Sequence, residues 1–147
     1  MKRALLWVAL VSTAFAFPAA ADLKQAMAES NLEKRSALAL ENARATLKET
    51  REAYRKGEEQ AVTAGIDEIE ESVDLAYTSL TQTGKDPRRN PRWFKKAEIE
   101  TRDLERRLDA FQQEMSYTDR QQLDKLRAKV QQVHDDLLMG LMEGKRR

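Results

Sequence analysis

The sequence predicts an all-α fold: an up-down-up-down four-helix bundle built from two long antiparallel helical hairpins and preceded by a cleaved signal peptide. Three observations carry this expectation. Beyond residue 21 the chain is rich in Ala, Leu, Glu, Lys, Arg and Gln, all good helix formers, and Pro87 and Pro91 are its only prolines there. Four segments repeat small or apolar residues in alternating steps of three and four, the period of helices packed side by side at small crossing angles. Two of the three connections between them are so short that they force antiparallel neighbours.

The first element is the leader, residues 1–21. Lys2 and Arg3 form a basic start, Ala4 to Phe17 is an apolar run broken only by Ser12 and Thr13, Pro18 ends it, and Ala19-Ala20-Ala21 supplies the small residues of a cleavage site. An uncleaved anchor is the alternative, but the run falls short of the about 20 apolar residues that a span requires. Cleavage after Ala21 makes the protein periplasmic or secreted, starts the mature chain at Asp22, and takes the formal charge from +1 to −1 by removing Lys2 and Arg3. With no cysteine, disulfides, lipid-modified N-termini and cysteine-ligated metals are excluded. One domain, residues 22–147, remains.

The first predicted helix, near 30–56, has the seam Leu32, Ser36, Ala39 or Leu40, Ala43, Leu47, Thr50 and Tyr54, with a capping box at Ser30 and Glu33. The second, near 58–83, has Val62, Ile66, Ile69, Val73, Ala76 and Leu80. Asn90 before Pro91 reads as the cap of the third, near 91–115, with the seam Ala97, Thr101, Leu104, Leu108, Phe111 and Met115. Thr118 and Gln121 form a capping box for the fourth, near 118–143, with Leu123, Leu126, Val130, Val133, Leu137 and Leu141. Gly57, Gly84 and Gly144 stand where left-handed residues terminate helices. Each seam is narrow, so each helix needs partners; two hairpins splayed apart or paired with a second chain are the looser alternative. Tyr54 and Gly57 suggest a tetratricopeptide hairpin, but such helices are about half as long and no second copy follows at their 34-residue period.

Charge is unevenly placed. The second helix has no lysine or arginine, and its Asp67, Glu70, Glu71 and Asp74 share one side as a candidate acidic docking face. The first helix is basic by comparison, and the simplest account is attraction between the two helices of this hairpin. The connection into the third helix gathers Lys85, Arg88, Arg89, Arg92, Lys95 and Lys96 around Trp93 and Phe94. In an up-down bundle Lys145, Arg146 and Arg147 join the same end, making one pole strongly positive. The two aromatics either plug that end or, if exposed, engage an anion together with the arginines. An exported protein would meet a protein partner or an anionic envelope component there, with membrane contact at most peripheral. Nucleic acid is disfavoured by the export signal and the near-neutral charge.

No enzyme is expected, and no catalytic, cofactor-binding or metal-ligating residue is assigned. His134 is the lone histidine, so nucleophile-plus-base arrangements have one base to draw on. Glycine-rich phosphate loops, His-Glu-x-x-His pairs and calcium-loop spacings do not occur. Gln131 occupies the place where a bundle di-metal site has glutamate, and His134, Met139 and Met142 do not share one helical face for a copper-type cluster.

Tyr117-Thr118-Asp119-Arg120-Gln121 resembles the Leu-Thr-x-x-Gln motif of small periplasmic all-helical stress-adaptor and chaperone proteins, with tyrosine in place of leucine. The likeness covers about five residues plus the general architecture of exported, cysteine-poor helical hairpins. It implies binding of client or sensor proteins in the envelope, often as a curved dimer. A homodimer whose seams continue across two chains, with a structural role and no small-molecule ligand, is the alternative function.

Overall fold

The computed structural model describes residues 22–144; the leader and Lys145, Arg146 and Arg147 lie outside them. The described chain is all-helical, with five α-helices packed against one another: α1 (Leu23–Ala28), α2 (Leu32–Arg55), α3 (Glu59–Gln82), α4 (Pro91–Glu114) and α5 (Asp124–Glu143), the last preceded by a 3-10 turn at Arg120–Leu123.

α1 is an addition to the expected elements. Six residues are too few to show a period, and the segment is helical because the Asp22 carboxylate accepts from the Lys24 N–H at 3.1 Å while Leu23 and Ala26 are buried by packing onto α2 and α3. α2 begins at a different cap from the one expected. Asn31, not Ser30, accepts from the Lys34 N–H at 2.9 Å, and Glu29 takes the Asn31 N–H at 2.8 Å, so the Ser30–Glu33 box is not formed. α4 starts at Pro91 after Asn90 as expected, though the Asn90 side chain makes no capping bond. Gly57, Gly84 and Gly144 all have positive φ, at 73°, 66° and 81°.

The largest boundary difference is at α5, which starts at Asp124 rather than near 118. The Tyr54 hydroxyl accepts from the Ser116 N–H at 2.8 Å and donates to the Asp119 carboxylate at 2.9 Å, fastening the connection to the far end of α2. Thr118 therefore caps nothing; its hydroxyl meets that of Ser116 at 3.1 Å. A tertiary contact thus displaces a local capping signal.

The seams pack as their periods predict. Ile69, Val73, Leu108, Phe111, Leu123, Leu126 and Val130 are fully buried, and every seam position of α3 and α4 is buried. The α2–α3 interface also carries polar residues that an apolar period does not reveal. Asn42 Nδ2 donates to Ser72 Oγ and to Glu68 Oε1, both at 3.0 Å, and the chains approach so closely at Gly65 that a Cβ there would lie 2.0 Å from Thr50 Oγ1. Those pairings run α2 and α3 antiparallel. Gln112–Asp124 at 2.9 Å and Glu98–His134 at 3.1 Å do the same for α4 and α5.

Ile69→Ala should lower unfolding stability by about 2–5 kcal/mol, because it removes a fully buried side chain from a packed seam; denaturant titration measures it. Gly65→Ala should cost about 1–3 kcal/mol through overpacking against Thr50. Adding Thr50→Ala should return much of that loss by clearing the space, and a double-mutant cycle reads the coupling.

Candidate functional site

The basic end is built by the α3–α4 connection and the first turns of α4. Gly84 ends α3 with a left-handed residue, the Asp86 carboxylate accepts the Arg88 N–H at 2.9 Å, and the Asp86 carbonyl accepts from the Asn90 N–H at 2.9 Å, so the loop is a closed turn that presents its basic side chains outward. α5 ends against this turn. A Cβ on Gly140 would stand 3.2 Å from Pro87 Cγ, and one on Gly144 3.0 Å from Arg88 Cδ, so the two glycines admit the close approach.

The expected basic residues are held in three ways, with Arg92 in two of them. Arg88, Arg89, Arg92 and Lys95 are exposed and meet no carboxylate within ion-pair reach among the described residues. Lys85 is tied to Glu33 at 2.7 Å, joining the connection to the start of α2. Lys96 and Arg92 both lie over the Trp93 ring, at 5.5 Å and 5.4 Å from its centroid. Phe94 is buried, 5% exposed, and acts as the plug, whereas Trp93 is half-buried against the core with its own cations on its ring. The two aromatics therefore do not form one exposed pair.

The expected acidic face is also divided. Glu70 pairs with Lys125 at 3.0 Å and Asp74 with Lys129 at 2.9 Å, while Asp67 and Glu71 stay exposed without such partners among the described residues. The hydrogen bond and charge of Asp74 raise the Lys129 pKa above its usual 10.5. The charge complement of α3 thus lies on α5, not on α2 as simple attraction within the first hairpin would have it. α2 in turn pairs with α4: Arg44 with Glu100 at 3.6 Å, and both Arg51 and Arg55 with Glu114. Ion pairs link the two hairpins to each other.

Sequence reasoning missed two surface features. Between α2 and α4 runs a trough of about 640 Å³ lined by Arg44, Lys48, Arg51, Arg55 and Arg107 beside Glu41 and Glu52. The spacing of the four α2 cations, steps of four, three and four, carried the signal. At the basic end a smaller cleft of about 290 Å³ opens between Tyr77, Pro87, Phe94, Leu137 and Gly140. Burial, then the neighbouring Asp136 carboxylate, pushes the Tyr77 hydroxyl above its usual 10.0. No sequence period could have found this cleft, since it joins a loop to the ends of three helices.

His134 is half-buried, with Nε2 3.1 Å from Glu98 Oε1 and Nδ1 3.2 Å from Asp135 Oδ1. It bridges α4 and α5 through its contact with Glu98. Among the described residues no group of three or more His, Cys, Asp and Glu side chains is placed to hold a metal ion, and no helix is long and apolar enough to cross a membrane. No protein-family model, curated protein or solved structure matches the chain.

The Glu114 carboxyl sits below its usual 4.5, chiefly through its hydrogen bond from Arg51, and Asp103 below 3.8 through that from Arg107. A lowered folded-state pKa means that the ionised form stabilises the fold. That stabilisation is complete above the ordinary carboxylate range and is lost as pH falls through the folded value. The melting temperature should accordingly drop as pH is taken below about 4.5, and Glu114→Gln should flatten part of that drop while lowering stability slightly at pH 7. Thermal melts of both proteins from pH 7 to 2 test this.

Proposed function

We propose that this is an exported, non-enzymatic protein, periplasmic or secreted after cleavage behind Ala21, that binds another protein or an anionic envelope component through its basic end. The observation that carries the reading is the cluster Arg88, Arg89, Arg92 and Lys95, exposed on a closed turn and the start of a helix and, among the described residues, without a carboxylate in ion-pair reach. Unpaired guanidinium groups held on a stiff scaffold suit bidentate contacts to carboxylate or phosphate. The likeness of Tyr117 to Gln121 to the periplasmic adaptors favours the same class of function, binding rather than catalysis.

In this reading α2, α3, α4 and α5 form a closed up-down-up-down four-helix bundle and α1 a short prefix to it. Support comes from the cross-links, since α2 pairs in parallel register with α4 and α3 with α5, while consecutive helices run antiparallel. A structural, self-associating role is the second reading. It is favoured by Asp67 and Glu71, exposed and without an ion-pair partner among the described residues, which could meet the basic end of a second copy.

Charge reversal at Arg88, Arg89 and Arg92 should leave helicity and melting nearly unchanged and abolish capture of a partner from envelope extract. Pull-downs with the two proteins side by side decide it. Equal recovery from both excludes the basic end as the contact, and a dimer in analytical ultracentrifugation would then favour self-association.

A further inference from the structure

The positive surface does not stop at the first turns of α4. Arg92, Lys95, Ile99, Arg102 and Arg106 follow one another by three, four, three and four residues, so they share one stripe along about 20 Å of helix. All five are exposed, on the side of α4 opposite the buried Ala97, Thr101, Leu104 and Leu108. The carboxylates nearby are oversubscribed. Glu98 is buried and shared by Arg102 at 3.5 Å and His134 at 3.1 Å, and Asp103 is shared by Arg106 at 3.4 Å and Arg107 at 2.6 Å. The stripe therefore keeps an excess of positive charge.

Apolar side chains stand within it. Ile99 is 45% exposed at its centre. The Glu98–His134 contact sets the antiparallel register of α4 and α5, so Leu138 and Met142, one and two turns beyond His134, run along the stripe toward Lys95 and Arg92. They are 40% and 70% exposed. Gly144, two residues later, lies against the Arg88 side chain and the Asp86 carboxylate, where α5 ends on the basic turn. Asp135, held by His134, and Asp86, beside Arg88, are acidic residues at the edge of the stripe. The trough between α2 and α4 and the cleft behind Phe94 both open elsewhere.

We infer that this α4–α5 face lies on a bilayer surface rich in anionic lipid, with Ile99, Leu138 and Met142 entering the headgroup layer and the surrounding cations meeting lipid phosphates. The inference rests on the reading that the basic end engages anions, and it names their source. A protein partner would be anchored by side chains in a well-packed pocket, whereas here apolar residues protrude from a predominantly basic face. A bilayer requires no matching shape, draws basic residues by its negative surface potential, and accepts protruding apolar side chains while arginine and lysine stems extend along them.

The test is co-sedimentation of the purified protein with vesicles of equal parts phosphatidylglycerol and phosphatidylcholine, and with phosphatidylcholine alone. Binding to the first and not the second is expected. Arg102→Glu with Arg106→Glu should weaken it by about tenfold or more. Leu138→Ser with Met142→Ser, at exposed positions where circular dichroism should remain unchanged, should weaken it several-fold. Absence of sedimentation with anionic vesicles overturns the inference, as does sedimentation that the Leu138 and Met142 pair leaves untouched. If capture from envelope extract is still lost on reversing Arg88, Arg89 and Arg92, the inference falls and the binding role of the basic end stands. If neither lipid nor partner is retained, both fall.

Discussion

The close approach of α2 and α3 at Gly65 and Thr50 is the constraint on which the rest of the structure depends. Only a glycine lets the two backbones come that near, and the Thr50 hydroxyl, donating to the Thr46 carbonyl at 2.7 Å, is kept within its own helix and needs no partner across the interface. Two turns along, Asn42 reaches Ser72 and Glu68, and a buried amide that must find those partners tolerates no slippage. Seams of mostly alanine, leucine and valine could pack in several registers at similar energy. The polar and steric pair selects one of them.

From that hairpin the register spreads to the second. Tyr54, at the far end of α2, packs edge-on against Phe111 with centroids 5.7 Å apart and clamps the α4–α5 connection through Ser116 and Asp119. Ion pairs from α2 to α4 and from α3 to α5 add a charged outer layer to the contact between hairpins. Exposed pairs of this kind contribute little stability each. Their value is selective, because an acidic α3 laid beside α4 would forfeit Lys125 and Lys129. These pairs join the hairpins at the surface, while among the described residues Arg88, Arg89, Arg92 and Lys95, on the turn before α4 and its first turn, have no ion-pair partner.

The helices were legible because their seams repeat. Ile69, Leu104, Leu126 and their neighbours lie in the core where the period places them, since a narrow apolar stripe on a long helix has few other ways to leave water. The positive-φ glycines were legible for an equally local reason. α1, the Asn31 cap and the late start of α5 were not, because each is decided by contacts with residues far away in the chain. The candidate site was legible in part. Its arginines stood in one sequence cluster, but Phe94 turned inward, Trp93 was covered by Arg92 and Lys96, and half of the acidic face was neutralised by α5.

The sequence by itself determined that the described chain is helical, which residues line each seam, and that cations gather before α4, because helix propensity, period and composition are properties of neighbours along the chain. The tertiary structure alone decided which charges stay free. Ion pairing depends on which faces meet, and Glu70 and Lys125, like Asp74 and Lys129, are 55 residues apart along the chain. It also decided that Ile99, Leu138 and Met142 share a surface with the arginines of α4, since only the register set by Glu98 and His134 lays α5 along that stripe.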